Sequence, residues 1–153
     1  MTPRYGKFIK SAPTITVATA AYSDNDVVGG LITFPLTGLT QNGGILNGLL
    51  LTDAANQSEP YRLFLFHQQP STIADADAFA PTIADLKKLF AVVTLAVADY
   101  VTTNSLQFVL KEDINNVFNS TDGNLYGYLV ANASTPDYAA ATDLSLTLFI
   151  AGE

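Results

Sequence analysis

The sequence predicts an all-β fold: an antiparallel β-sandwich, a jelly roll of about eight strands with one short helix near residues 82–89. Three observations carry this expectation. The apolar segments are short and rich in β-branched and aromatic residues. Clusters of Gly, Asn, Asp and Pro separate them. No strand–helix–strand rhythm recurs, which argues against a parallel sheet. The 153 residues amount to one domain with one core. An immunoglobulin-like sandwich is the alternative, but it usually packs a buried Trp against a disulfide, and this chain has neither Trp nor Cys.

In chain order, the first strand is expected at Thr14 to Ala20, where Ile15 and Val17 alternate with threonines. Ser23-Asp24-Asn25-Asp26 turns into the second, Val27 to Phe34, which Pro35 ends. Its Gly29-Gly30 pair predicts a bulge or the close approach of another backbone. Gln41-Asn42-Gly43-Gly44 is a turn, because Asn and Gly accept positive φ at little cost. The third strand, Ile45 to Thr52, follows it. The fourth, Tyr61 to His67, is apolar at nearly every position, as befits the centre of a sandwich. Pro70 to Pro81 reads as a long loop, and Thr82 with Asp85 starts a helix of about two turns that runs to Leu89. Phe90 to Ala96 and Leu106 to Lys111 are the fifth and sixth strands, with a short extra strand at Ile114 to Phe118. Thr121-Asp122-Gly123-Asn124 turns into the seventh, Leu125 to Asn132, which sets Tyr126, Tyr128 and Val130 on one face. In the eighth, Leu144 to Ile150, aliphatic residues alternate with Ser145, Thr147 and Phe149.

Composition narrows the function. Hydrophobic residues make up 48% of the chain and charged residues 14%, against about 25% charged in an average domain. That balance excludes a disordered chain and a solvated coiled coil. It also leaves few charges to cover the surface, as in proteins whose surface is covered by something else. The longest apolar run, Leu89 to Ala98, is about half the roughly 20 residues of a membrane span, so no membrane partner is expected. The net charge of −7 is uneven. Arg4, Lys7 and Lys10 give the first ten residues +3, whereas Arg62, Lys87, Lys88 and Lys111 face all 14 acids in the rest, a net of −10. An acidic body repels phosphate, so no nucleic-acid partner is expected. Residues 1–12 read as a basic N-terminal arm and residues 13–153 as a single sandwich domain. No secretory signal is expected, since no uninterrupted apolar stretch follows the bases.

Residues with catalytic or ligand chemistry are few. Without cysteine there is no disulfide, thiolate metal site or thiol nucleophile. His67 is the only histidine, and no Gly-x-Ser-x-Gly elbow accompanies it. A hydrogen-bonded residue at a strand end is its expected role. Asp24 with Asp26, and Asp75 with Asp77, are carboxylate pairs two residues apart in loops, a spacing that supplies oxygen ligands to Ca²⁺. Turn-forming bonds to their own backbone are the favoured explanation. Tyr61, Tyr100, Tyr126, Tyr128 and Tyr138 are candidates for a sugar-stacking platform, with core and interface packing the simpler expectation. No phosphate-binding loop continues from Gly29-Gly30 or Gly43-Gly44. No cofactor and no enzymatic activity are expected.

One set of segments carries a resemblance. It comprises Tyr22-Ser23-Asp24-Asn25-Asp26-Val27-Val28-Gly29-Gly30-Leu31-Ile32-Thr33-Phe34, Gly43-Gly44-Ile45-Leu46 with Leu50-Leu51-Thr52-Asp53, and Leu63-Phe64-Leu65-Phe66. Asn124-Leu125-Tyr126-Gly127-Tyr128-Leu129-Val130 and Asp143-Leu144-Ser145-Leu146 complete it. Across residues 13 to 150 the chain resembles the small head proteins of tailed bacteriophages that decorate or cement the capsid. The resemblance is one of strand and turn residues. It implies a jelly roll, a homotrimer seated at three-fold positions on the outer capsid surface of the virion, and the major capsid protein as partner. It implies neither an enzyme nor a cofactor. With it, the basic, partly apolar head assigns Arg4, Tyr5, Lys7, Phe8 and Lys10 to capsid contact. The competing function is a lectin-like host-attachment or fibre-tip module that uses the tyrosines and Ca²⁺ at the aspartate pairs. An enzyme built on His67 or a carboxylate pair in a pocket is the third.

Overall fold

The computed structural model describes residues 6–153. One sheet has the order β1 (Lys7–Ser11), β10 (Leu144–Gly152), β3 (Gly43–Asp53), β7 (Gln107–Lys111) and β6 (Val101–Thr102), and β8 (Asn116–Asn119) pairs with β3 as well. The other has the order β2 (Val27–Pro35), β9 (Asn124–Ala131), β4 (Tyr61–Phe66) and β5 (Leu89–Leu95). All pairs are antiparallel, and four of them nest: β4 with β5, β3 with β7, β2 with β9, β1 with β10. A nest of this kind is one long ribbon of paired chain. The ribbon is rolled, so that β10 also lies against β3 and β9 against β4. A rolled antiparallel ribbon closing two sheets on each other is a jelly roll, as the sequence predicts.

The period of two along each strand places the core. Leu49, Leu51, Leu146 and Leu148 point inward from the first sheet, and Leu63, Leu65, Leu125 and Leu129 from the second; all are buried in one cluster. Gly29 and Gly30 take φ of +82° and +70° where β2 slips register between Val28 and Ile32. The pair therefore provides the expected bulge; a Cβ on Gly29 would lie 2.5 Å from Ile15 Cγ2, so what approaches closely is a side chain, where another backbone is the expected alternative.

Several local expectations are corrected. Thr14 to Ala20 is not a strand. Ile15 and Val17 are buried and their threonine neighbours exposed, but the segment makes no ladder; Val17 donates to the Ala141 carbonyl at 3.0 Å. Alternation reports an extended chain with one buried side, and pairing is a separate condition. The segment expected as a basic arm also contains a strand. Lys7–Ser11 form β1, with Ile9 and Ser11 turned into the sandwich, Phe8 and Lys10 outward, and Lys7 exposed at the end of the inward row, beside Gly38. Arg4 and Tyr5 lie outside the described residues. The helix, α1 (Ile83–Leu86), is a single turn, shorter than the expected two. Its capping box joins Thr82 and Asp85 as predicted, but Leu89 is claimed by β5, where it pairs with Phe66. The two-residue β6 carries no sequence signal of its own.

Candidate interaction face

The outer faces of the two sheets differ. Outside β2–β9–β4–β5, a second apolar cluster of Val27, Phe66, Tyr126, Tyr128 and Val130 packs beneath the loop between β4 and β5, which contributes Ile73 and Phe79. Phe79 lies 4.4 Å from the Phe64 ring and 5.6 Å from Tyr128, centroid to centroid. The Tyr128 hydroxyl accepts from the Ile73 amide at 2.9 Å and donates to the Ser71 carbonyl at 2.6 Å. This loop is a cover made from the chain itself, which is why nearly every residue of β9 is buried.

The outer face of the other sheet is also apolar, and no loop among the described residues covers it. The strand register places four residues in one row across it: Phe8, Ala151, Ile45 and Val117. A second row runs from Lys10 through Phe149. Thr147, Leu50 and Leu110 form a third, and Ser145, Thr52, Phe108 and Val101 a fourth. Val117 is 73% exposed and Phe8 56%, and Ile45, Leu110 and Val101 are exposed as well. With strands about 4.8 Å apart and some six residues along each, the face measures roughly 400 Å². Apolar patches of that size on a soluble protein are commonly functional.

Charge is placed at the two ends of this face. On the β1 side, Lys10 Nζ sits 5.6 Å above the Phe149 ring, which stacks on Phe8 at 6.4 Å. On the far side, the chain between β7 and β8 bulges outward. Two residues of β3, Asn47 and Gly48, face four residues, Glu112 to Asn115. Asp113 and Asn115 take positive φ there, and Ile114 donates to the Asn47 carbonyl at 2.9 Å. A Cβ on Gly48 would lie 2.5 Å from the Lys111 carbonyl oxygen, so only glycine lets the strands approach this closely. The bulge exposes Glu112 and Asp113 beside an open cavity of about 410 Å³ bordered by Phe8, Leu110 and Phe149. Lys111 does not offset them, because its ammonium is 2.6 Å from Asp99. That contact is the first cause of an Asp99 pKa below the usual carboxylate range, with the Ala96 amide as the second.

The other sequence candidates resolve as structural groups. Asp24 accepts from the Ala133 amide at 2.6 Å, Asp26 from the Ser23 amide at 2.7 Å, and Asp75 from the Tyr22 hydroxyl at 2.8 Å and the Gly29 amide at 2.7 Å. Asp77 holds the start of β2 through its carbonyl, which accepts from Val27 at 2.8 Å. Among the described residues no group of three or more His, Asp or Glu is placed to hold a metal ion. The tyrosine platform is overturned. Tyr61, Tyr126, Tyr128 and Tyr138 are buried, and Tyr100 donates to the Glu59 carbonyl at 2.6 Å from a half-buried position. Tyr61 and Tyr138 bond hydroxyl to hydroxyl, and burial pushes the Tyr138, Tyr100 and Tyr22 phenols well above their ordinary range. His67 ends β4 with its amide on the Lys88 carbonyl, and its Nδ1 is buried without a partner. Lys7, Phe8 and Lys10, assigned from sequence to capsid contact, all lie on β1, and Phe8 and Lys10 belong to the uncovered face.

Two of the three strand candidates, Phe8 and Lys10, thus share one face, and most of that face was missed in the sequence. The available signal was Phe149 in the outward phase of β10, between Thr147 and Ala151, and the unbroken Leu49-Leu50-Leu51 run. No helix among the described residues is long and apolar enough to cross a membrane. Comparison with models of known protein families and with curated proteins finds no match.

Proposed function

We propose that this chain is a viral structural protein that decorates and stabilises the outer surface of a phage capsid. It binds the major capsid protein as a homotrimer and carries out no catalysis. The observation that supports this reading is the uncovered apolar face of β1, β10, β3 and β7–β8, on a jelly roll whose opposite sheet is covered by its own loop. A face of that kind requires a protein partner to remain soluble at high concentration. The resemblance of residues 13 to 150 to capsid-decorating head proteins supports this setting, and many copies repeated by shell symmetry would turn modest contacts into firm attachment. The lectin-like reading loses its stacking platform, because its tyrosines are core residues. Imaging the virions that carry this chain tests the proposal. Density for a sandwich at local three-fold axes on the outer shell is expected, and shells stripped of the chain should rupture at lower temperature. Absence of the chain from purified virions, or its location inside the shell, would overturn it.

A further inference from the structure

We infer that the free edge of β5 accepts an extended, uncharged segment of a partner protein, which joins the sheet as a further strand by backbone pairing. This contact goes beyond the decoration reading, because it uses the edge of the second sheet and not the outer face of the first. The last strand of a sheet has unpaired N–H and C=O groups along one side, and folded proteins blunt that side with lysines, prolines, bulges or brevity. Three edges of this sandwich are blunted in those ways. β1 carries Lys7 and Lys10 in its short length. β2 is broken at Gly29-Gly30 and ends at Pro35, and its first residue is bonded to the loop after β4: Val27 donates to the Asp77 carbonyl and accepts from the Ala76 amide. β6 and β8, on the far side of the first sheet, have two and four residues.

β5 has such protection only at its start. Phe90 is bulged, and its ring meets Phe118 with 5.5 Å between centroids. From Ala91 to Leu95 the strand pairs one to one with β4, and among the described residues no backbone hydrogen bond reaches it from any other segment. That stretch, Ala-Val-Val-Thr-Leu, has no charge and no proline. The charges that bracket the strand are engaged elsewhere: Lys88 donates to the Gln69 carbonyl at 2.8 Å, and Asp99 accepts from Lys111 at 2.6 Å. The chemistry of the occupant follows. Unpaired backbone groups call for an extended chain. Ala91, Val93 and Leu95 are buried and favour apolar neighbours at alternate positions, whereas exposed Val92 and Thr94 favour β-branched ones. A basic segment is disfavoured, because Arg62 stands one strand in, across from Thr94.

A peptide titration tests the edge directly. The full chain receives Gly-Ser-Thr-Val-Thr-Val-Thr-Ser-Gly up to about millimolar concentration, and amide shifts and hydrogen exchange are followed residue by residue. Between Ala91 and Leu95, the alternate amides that β4 leaves free should exchange about fivefold or more slowly. The same peptide N-methylated at alternate amides, or with lysine in place of valine, should have no effect. Val92→Lys, at an exposed position, should weaken the response about tenfold, and Val92→Thr should keep it; thermal melts check the fold. No response in β5, an equal response to the N-methylated peptide, or a response centred on Leu110 and Phe149 would each overturn the inference. Protection of β5 that rises with chain concentration in the absence of peptide would also overturn it, by assigning the edge to a second copy. Shell binding is read separately. A chain that takes the peptide and never binds shells keeps this inference and loses the decoration reading; one that binds shells and ignores the peptide does the reverse.

Discussion

Replacing Tyr128 by Phe tests whether the loop between β4 and β5 is held down as a cover. The substitution removes one oxygen and leaves the ring in place against Phe66 and Phe79. Two bonds go with it: the Ile73 amide at 2.9 Å and the Ser71 carbonyl at 2.6 Å lose their shared partner. Each such bond contributes a net of about 1 kcal/mol, and a half-buried group left unmatched raises the cost, so the change should destabilise by about 2 kcal/mol. For a domain of this length, that lowers the melting temperature by about 4–8 °C. Ser71 keeps a second anchor, its amide on Asp85 at 2.8 Å. The opening should therefore begin at Ile73 and Phe79 and leave the start of the loop in place. Thermal melts followed by circular dichroism give the first number, and amide hydrogen exchange gives the second. Exchange at Ile73 should rise well before exchange in β9, and an apolar-surface dye should bind the variant below its melting point. An unchanged melting temperature with unchanged protection at Ile73 would refute the reasoning, because the loop would then be held by packing alone.

Three further outcomes follow from the same structure. Gly48→Ala should cost about 1–3 kcal/mol in chemical denaturation, because the new Cβ meets the Lys111 carbonyl oxygen at 2.5 Å and backbone must move; a neutral result would mean that β7 yields freely. Asp85 is held below the usual carboxylate value of 3.8 first by the Ser71 amide and next by the Thr82 hydroxyl. Its stabilisation is present above pH 3.8 and is lost as pH falls towards the lowered folded value, so Asp85→Asn should lower the melting temperature at pH 7 and flatten the acid limb below pH 3.8, and an acid limb as steep as the parent's would contradict this. Tyr22, Tyr100 and Tyr138 are raised above their ordinary value of 10.0, first by burial, so they stabilise the fold below pH 10 and that contribution is lost as pH rises above it. Phenolate absorbance should rise in one steep step together with loss of the β signal, and a smooth titration near pH 10 with the fold intact would count against it.

The sequence was most legible where local chemistry decides the outcome. Short apolar and β-branched runs bounded by turn residues located β2, β3, β4, β7 and β9 within a residue or two, and Thr82 with Asp85 marked the capping box. It was least legible where pairing decides. Ile15 and Val17 alternate like a strand, yet Ile15 packs its side chain on Gly29 and the Val17 amide goes to the Ala141 carbonyl, so no ladder forms. Residues 1–12 read as a basic arm because Arg4, Lys7 and Lys10 dominate their composition, although Ile9 and Ser11 point inward. The face was hidden for a related reason. Its rows exist only across strands distant in sequence, as when Phe8 aligns with Ala151, Ile45 and Val117. Nothing in any one strand shows that its outward residues have outward apolar neighbours.

The small number of charges is explained by where they are engaged. The carboxylates of Asp24, Asp26, Asp53, Asp75, Asp85, Asp99, Asp122 and Asp143 all accept backbone amides in loops. Asp53 alone receives three, from Ala55, Gln57 and Ser58. These acids shape the connections of a fold that is mostly strand, and they contribute little to solvating its faces. A chain with 14 acids therefore has few carboxylates left to keep its sheet faces apart from other proteins. Glu112 and Asp113 are among those left, and the fold places them at one end of the apolar sheet face that no described loop covers, across from Lys10. Apolar area supplies attraction in any orientation, whereas separated charge selects one. If a protein partner buries this face, Leu110→Asp should weaken the contact at every salt concentration, whereas Lys10→Glu should weaken it at low salt only, and a Leu110→Asp chain that binds as the parent does would count against it.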